Sequence, residues 1–168
     1  MIREIEQLVA QVAEQLLRRQ LKLVTAESCT GGGVAQVLTS LAGSSAWFER
    51  GFVTYSNLSK QEMLGVAPAL IETHGAVSLE VVEAMARGAL THSAGQVSLA
   101  ISGIAGPAGG TTQKPVGTVC FSWVLNEINI QSELIVFNGN RAGIREQAVA
   151  HALQGLLAAL TQAGVAEE

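Results

Sequence analysis

Apolar residues recur at helical spacing near the start of the chain. Ile5, Leu8, Val12 and Leu16 lie three or four positions apart, so residues 2–19 are predicted to form an amphipathic helix that packs on another element. Farther along, short β-branched runs alternate with segments of helical character. Strands are predicted at 21–26, 48–55 and 97–102, and helices at 34–41, 58–64, 68–74, 78–93 and 141–161. This alternation predicts helices on both faces of a central sheet.

Two further β-type runs, at 116–125 and 128–137, are separated only by Asn126 and Glu127. Such a short connection is typical of a β-hairpin, which adds antiparallel pairing to the sheet. We therefore predict an α/β fold with a mixed, mainly parallel central sheet and a β-hairpin in the C-terminal half. No repeat or linker interrupts the 168 residues, so 1–168 is interpreted as a single domain.

The composition narrows the classes of partner. Hydrophobic residues make up 48% of the chain and charged residues 14%, and we expect part of this apolar surplus to lie in a subunit interface. The ten Lys and Arg residues are scattered and the formal net charge is −4, which argues against a nucleic-acid partner. Charged residues interrupt the first twenty positions, and no apolar run is long enough to span a bilayer. We therefore expect no membrane association and a cytoplasmic location.

The acidic residues are all Glu, fourteen in number, and the chain contains no Asp. A carboxylate-rich magnesium site, an aspartyl-phosphate intermediate or a Ser-His-Asp triad would each have to be built with Glu. Cys29 and Cys120 are too few for a structural zinc site. The histidines, His74, His92 and His151, do not have the spacing typical of a metal pair. We expect a metal-free mechanism without a cofactor.

The turn after the first predicted strand carries the sharpest candidate chemistry. Ser28 precedes the glycines at 31–33, which open a predicted helix. Backbone N–H groups at a helix start are unsatisfied, so they can hold the oxyanion that forms when a nearby hydroxyl attacks a carbonyl. On local pattern alone, Ser28 or Thr30 could equally be a helix N-cap, because Ser and Thr are preferred there. Both interpretations stay open at this point.

Two other segments are candidates for ligand binding. The glycine-rich loop at 103–110 follows a predicted strand, where loops of open α/β sheets carry function, but a structural turn explains it equally well. Arg141 and Arg145 lie four residues apart at a predicted helix start and resemble a seat for an anion such as phosphate. The alternative is an exposed arginine pair, salt-bridged to Glu146 or to another carboxylate.

Several ordered motifs resemble those of one known family. They are TAESCTGG at 25–32, GFVTYSN at 51–57 followed by Lys60, GIAGP at 103–107 and KPVGT at 114–118. These motifs are similar to the signatures of the CinA C-terminal domain family, over nearly the whole chain. Stand-alone members of that family are nicotinamide mononucleotide amidohydrolases of pyridine nucleotide salvage. The resemblance implies a three-layer α/β/α sandwich, a serine–lysine catalytic pair, no metal, and a homo-oligomer, either a dimer or a tetramer.

The resemblance also assigns roles to individual residues. Ser28 is expected to be the nucleophile and Lys60 its base. The residues themselves leave Lys114 open as an alternative base and Cys29 as a competing nucleophile. To accept a proton near neutral pH, the lysine needs a pKa lowered from about 10.4 to about 7 or 8. The oxyanion is expected to bind the backbone of Thr30, Gly31 and Gly32. The residues expected to bind the substrate are Ser44, Tyr55, Asn57, Gly103, Ala105, Gly106, Arg141 and Arg145.

One position departs from the family pattern. The glycine loop often reads GPDGG in the family, whereas this chain has Ala108 at the Asp position, so any hydrogen bond of that side chain must be absent. Two alternatives to an amidohydrolase stay open: a non-catalytic nucleotide-binding regulator that uses the same loops, and a competence-associated partner-binding protein. The second would leave the combination of Ser28, Lys60 and Tyr55 without a reason.

Overall fold

A five-stranded mixed sheet forms the centre of the computed structural model, which describes residues 1–166. Its strands are β1 (Leu23–Glu27), β2 (Phe48–Val53), β3 (Val97–Gly103), β4 (Thr118–Leu125) and β5 (Asn129–Val136). They lie in the order β2-β1-β3-β4-β5. β1 pairs in parallel with β2 and β3, whereas β4 is antiparallel to β3 and β5. β4 therefore runs against the other four strands.

Helices cover both faces of this sheet. They are α1 (Ile2–Arg18), α2 (Gly33–Thr39), a short 3₁₀ helix (Ser44–Ala46), α3 (Asn57–Leu64), α4 (Pro68–His74), α5 (Leu79–Thr91) and α6 (Arg141–Ala166). α1, α2 and α6 pack on one face, and α3, α4 and α5 pack on the other. None of these helices has both the length and the apolarity that a membrane-spanning segment needs. The predicted three-layer α/β/α sandwich is confirmed.

The sequence of β3 explains how the two layers divide. Its side chains alternate across the sheet, so Leu99 and Ile101 join the core under α1 and α6, while Ala100 joins the core under α5. The small residues on the α5 side let that helix lie close to the sheet. There the buried Ser98 hydroxyl donates to the carbonyl of Ala86 (2.8 Å). Because both faces are covered, β1 and β3 are buried almost throughout.

Most predicted elements are confirmed, with changes at their ends. The helix at 68–74 has the predicted bounds, and the last helix continues to residue 166 instead of ending at 161. The hairpin turns at Asn126 (φ 51°) and Glu127 (φ 63°), where the connection is predicted. β2 ends at Val53 rather than at residue 55, because its partner β1 ends at Glu27, the residue that pairs with Val53.

The carboxyl ends of β1 and β3 lie side by side at one edge of the sheet. Their parallel register pairs Glu27 with Ile101. The loop after β1, at 28–32, and the loop after β3, at 104–117, therefore meet at this edge. Ligands of open α/β sheets bind at the carboxyl ends of parallel strands, so this edge is the first place to look for a site.

Candidate active site

The loop at 28–32 begins where β1 ends and carries the candidate nucleophile. The Ser28 backbone N–H donates to the carbonyl of Ile101 on β3 (3.0 Å), which ties this residue to the sheet. The Gly31 N–H donates to the Ser28 carbonyl (3.0 Å), and Gly31 and Gly32 have φ angles of 60° and 96°. Residues with side chains rarely adopt this conformation, so the glycines allow the sharp turn into α2.

A buried carboxylate, and not a hydroxyl, caps the start of α2. Glu27 is 1% exposed and accepts hydrogen bonds from the N–H groups of Val34 (2.8 Å) and Ala35 (3.1 Å). The Thr30 hydroxyl donates to the same carboxylate (2.7 Å). A helix N-terminus stabilises negative charge through its free N–H groups and its dipole. The N-cap interpretation is therefore wrong for both Ser28 and Thr30, and the Ser28 hydroxyl has a different partner.

That partner is Lys60, from α3 on the opposite side of the sheet from α2. Its Nζ lies 3.1 Å from the Ser28 Oγ and donates to the carbonyl of Thr54 (2.8 Å), with the Tyr55 carbonyl at 3.5 Å. A reciprocal pair of hydrogen bonds between Ser56 and Ser59 fixes the start of α3. Side chains on a helix point back toward its N-terminus. Because Lys60 lies in the first turn of α3, its side chain extends toward the end of β1.

The surroundings of Lys60 favour its neutral form. The side chain is 1% exposed, and the ion pairs formed within residues 1–166 do not include it. Burial lowers the pKa of Lys60 from its usual value, and the nearby Cys29 opposes this shift. A neutral amine has two N–H donors and one lone pair. The carbonyl groups of Thr54 and Tyr55 can take both donors, which leaves the lone pair for the Ser28 hydroxyl.

The two competing chemical assignments do not fit this geometry. Burial raises the pKa of the Cys29 thiol to about 11, so it is protonated at neutral pH and is a weak nucleophile. Its side chain packs in the core under α1 and α6, although the residue also lines the cavity beside Ser28. Lys114, the alternative base, donates instead to the carbonyl of His74 (2.9 Å). Neither group replaces the contact between Ser28 and Lys60.

A cavity of about 260 Å³ opens beside the Ser28 hydroxyl. It brings together predicted site residues from four segments of the chain: Ser28, Tyr55, Asn57, Lys60, Gly103, Ala105 and Arg141. Within residues 1–166, no three His, Cys, Asp or Glu side chains converge on a point where they could share a metal ion. The polar groups on the side chains that line the cavity are hydroxyls, an amine, a thiol, a phenol, a carboxamide and a guanidinium.

Arg141 joins two walls of the cavity. It is the first residue of α6, and its guanidinium donates to the carbonyl of Gly106 (2.8 Å) and to the hydroxyl of Tyr55 (3.2 Å). Gly106 has φ 78°, and a Cβ atom there would lie 2.5 Å from Val116, so only glycine fits. Because Arg141 is exposed, its remaining donors can bind an anionic group at the mouth of the cavity.

Arg145 does not join Arg141 in the cavity. Its half-buried guanidinium donates to the backbone carbonyls of Cys29 (3.1 Å) and Thr30 (3.2 Å). The predicted pair of arginines around one anion is therefore divided. Arg141 faces the cavity, whereas Arg145 binds the loop that carries Ser28. Within residues 1–166, neither guanidinium forms the alternative ion pair with Glu146.

The structure also separates other predicted site residues from the cavity. Ser44 lies in the 3₁₀ helix that precedes β2, at the opposite edge of the sheet from Ser28. The five residues of β1 that span the two edges are about 16 Å long, so Ser44 cannot reach a ligand in the cavity of its own chain.

The backbone N–H groups expected to bind the oxyanion differ in whether they are free. The Gly31 N–H donates to the Ser28 carbonyl, whereas the N–H groups of Thr30 and Gly32 have no acceptor within residues 1–166.

Three residues that sequence reasoning missed also line the cavity: Ala76, Val77 and Ser102. The buried Ser102 hydroxyl donates to the carbonyl of Ala76 (2.7 Å) and so fixes the segment before α5 against the end of β3. Ser102 precedes the glycine loop directly, so its place at the end of a strand was the available signal. Nothing in the local sequence distinguishes Ala76 or Val77.

The fold and the cavity together define an α/β/α protein with a buried serine–lysine pair, an arrangement able to attack a carbonyl carbon. Residues 5–160 match the family model described as the CinA C-terminal domain, and the chain therefore belongs to this family.

Similar proteins include curated enzymes and a solved structure. The nicotinamide-nucleotide amidohydrolase PncC of Escherichia coli K12 is 51% identical to the chain, over 91% of the chain and 93% of that protein. The protein of the same name from Pseudomonas putida is 50% identical, over 89% of the chain and 93% of that protein. The crystal structure of competence/damage inducible protein CihA from Agrobacterium tumefaciens has a TM-score of 0.91 and 41% identity, over 93% of this chain and 95% of that chain.

Proposed function

We propose that this chain is a nicotinamide-nucleotide amidohydrolase, which converts the carboxamide of nicotinamide mononucleotide into a carboxylate and releases ammonia. The observation that carries the proposal is the 3.1 Å contact between the Ser28 hydroxyl and the buried amine of Lys60. Two curated relatives with this activity in their names, 51% and 50% identical over nearly their whole length, support the substrate and the reaction. The product, nicotinate mononucleotide, belongs to pyridine nucleotide salvage.

In the first half of the reaction, the Ser28 Oγ attacks the carboxamide carbon while neutral Lys60 accepts the hydroxyl proton. The oxygen of the tetrahedral intermediate becomes negative and is stabilised by backbone N–H groups of the loop at 28–32. When the intermediate collapses, the C–N bond breaks and the proton on Lys60 passes to the leaving nitrogen. Ammonia departs, and the nicotinate carbonyl stays bound to Ser28 as an ester.

In the second half, water attacks this ester and Lys60 again accepts a proton. Collapse of the second intermediate breaks the bond to the Ser28 Oγ, which recovers its proton from Lys60. One carboxamide and one water give one carboxylate and one ammonia, so atoms and charges balance after the ammonia is protonated. The cycle needs no oxidant, and we propose that it needs neither a metal nor a cofactor.

The cavity accommodates only part of the nucleotide. Its volume of about 260 Å³ is below the range of about 300 to 1,000 Å³ that is usual for small-molecule sites. We place the pyridine carboxamide inside, beside Ser28 and Gly103, and the ribose near Asn57. The 5′-phosphate then lies at the mouth, where Arg141 and Tyr55 are exposed.

We further propose that the chain works as one cytoplasmic domain in a homo-oligomer. The exposed apolar side chains of Leu134 (43% exposed) and Val136 (49% exposed) on β5 support a subunit interface. Size-exclusion chromatography with light scattering measures the mass of the assembly. A mass equal to the 17.5 kDa of one chain would contradict the oligomer.

The experiment that tests the function is an ammonia assay on three related amides. Purified protein is incubated with nicotinamide mononucleotide, free nicotinamide or the dinucleotide NAD, and ammonia is measured with time. We expect ammonia from the mononucleotide. If none of the three amides releases ammonia and the mononucleotide still raises the melting temperature, the chain is a nucleotide-binding regulator instead.

A further inference from the structure

The Ser28 loop contains a peptide group that the hydrogen bond closing the loop does not hold. The hydrogen bond from the Gly31 N–H to the Ser28 carbonyl closes a four-residue turn. The central peptide of such a turn, between Cys29 and Thr30, takes no part in the closing bond. The two common turn types differ in the direction that this peptide faces, and the flipped type needs a positive φ at the third residue, which is rare for a β-branched residue such as Thr30. Thr30 does not have a positive φ. A contact from outside the turn can hold the peptide in the orientation that Thr30 favours.

Arg145 provides that contact. Its Nε donates to the Cys29 carbonyl (3.1 Å) and its Nη2 to the Thr30 carbonyl (3.2 Å). In a planar trans peptide, the C=O and the N–H point in opposite directions. With the Cys29 carbonyl turned toward α6, the Thr30 N–H points away from α6 and toward the side from which α3 presents Lys60. This N–H has no acceptor within residues 1–166.

We propose that Arg145 is a positioning residue for the reaction: it holds the Cys29–Thr30 peptide so that the Thr30 N–H faces the oxyanion formed on the carboxamide. The positive charge on the guanidinium also polarises the peptide group, which makes its N–H a stronger donor. Arg145 does not line the cavity, so in this role it acts through the loop. The role assigned to it here replaces the phosphate contact predicted from the spacing of the two arginines.

The two roles predict different kinetics, and the comparison rests on the proposed amidohydrolase function. An arginine that holds the phosphate contributes to binding of nicotinamide mononucleotide but not of nicotinamide riboside, which lacks the phosphate. An arginine that orients an oxyanion donor contributes to the chemical step on both substrates equally. Loss of one oxyanion donor typically lowers kcat by about a hundred- to a thousand-fold.

The experiment measures kcat and KM on both substrates for the wild type, Arg145→Ala and Arg145→Lys. Arg141→Ala is the matched control, because it removes the other arginine of the same helix. For Arg145→Ala we expect kcat to fall about a hundredfold or more on both substrates, with KM nearly unchanged. Added guanidinium ion should restore part of that kcat, which a loss of folded protein would not allow. Arg145→Lys, with one donor group in place of two, should retain intermediate activity.

Rates are normalised to the folded fraction from thermal melts, and Arg145→Lys decides the question if Arg145→Ala does not fold. Two results would overturn the proposal. One is an unchanged kcat in the Arg145 variants, and the other is a rise of KM confined to the phosphorylated substrate. A wild-type protein that is inactive on both substrates would instead contradict the proposed function, so the two failures are distinguishable.

Discussion

Replacement of Lys60 by Met tests the role of the buried amine most fully. Met has a similar length and no branch, so it fills the space of a side chain that is 1% exposed. It removes the acceptor for the Ser28 proton and the donors to Thr54 and Tyr55. General base catalysis contributes about 10²- to 10⁴-fold to a rate. At about 1.36 kcal/mol for each factor of ten, the barrier should rise by about 3 to 5 kcal/mol.

The same substitution tests the pKa of Lys60 through stability. Burial lowers this pKa, so between the native value and the unfolded value of about 10.4 the unfolded chain binds more protons. The wild type therefore gains stability as pH rises through this window, whereas below the native pKa it bears the whole cost of the buried charge. The Met variant lacks this dependence. The free energy of unfolding of Lys60→Met minus that of the wild type should therefore be larger at pH 7 than at pH 10.

Urea unfolding at several pH values measures this difference, because all other titrating groups are shared. The loss of the hydrogen bond to the Thr54 carbonyl, about 1 to 3 kcal/mol, shifts the comparison by the same amount at every pH. Lys60→Arg is the matched kinetic control, since it keeps a positive charge that never dissociates in this range and should be as inactive as Met. A difference in stability that does not change with pH, or an active Lys60→Arg enzyme, would refute the reasoning.

Three further predictions concern the same site. The double variant Ser28→Ala/Lys60→Ala should be little slower than either single variant in ammonia release, because members of a catalytic unit are not additive; multiplied losses would contradict a shared step. Arg141→Ala should lose about 1.5 to 3 kcal/mol of binding, which raises KM for nicotinamide mononucleotide about tenfold or more but leaves nicotinamide riboside unaffected; equal effects on both substrates would place the phosphate elsewhere. Activity should survive exhaustive chelation, and loss with EDTA that one divalent ion reverses would exclude the metal-free mechanism.

The elements of the fold were predictable from local pattern because helices and strands leave different signals. α1 buries one face and carries its apolar stripe at helical spacing, whereas β1 and β3 are buried on both faces and are short runs in which apolar residues predominate. The end of β2 was not predictable, since Thr54 and Tyr55 have strand character but the partner strand β1 ends at Glu27, whose carbonyl accepts the Thr54 N–H. The length of the neighbouring strand decided that boundary.

The site residues that lie in the family motifs were predictable from the sequence. The residues whose role depends on contacts with backbone groups were less predictable. Motif resemblance indicated Ser28 and Lys60, and the structure brings them within hydrogen-bond distance. The spacing of Arg141 and Arg145 placed them on one helix face but could not reveal that one meets a side wall of the cavity and the other meets two loop carbonyls. The capping role of Glu27 lay beyond local pattern for the same reason.

The most direct test of the central claim compares the two neighbouring nucleophiles, Ser28 and Cys29. The wild type, Ser28→Ala and Cys29→Ala are incubated with nicotinamide mononucleotide, and ammonia and nicotinate mononucleotide are quantified together. We predict that the wild type and Cys29→Ala each release ammonia and nicotinate mononucleotide in equal amounts, because the Cys29 thiol of the wild type is buried and protonated. Folded Ser28→Ala should release neither product. An inactive Cys29→Ala beside an active Ser28→Ala, or no product from the wild type, would contradict the account.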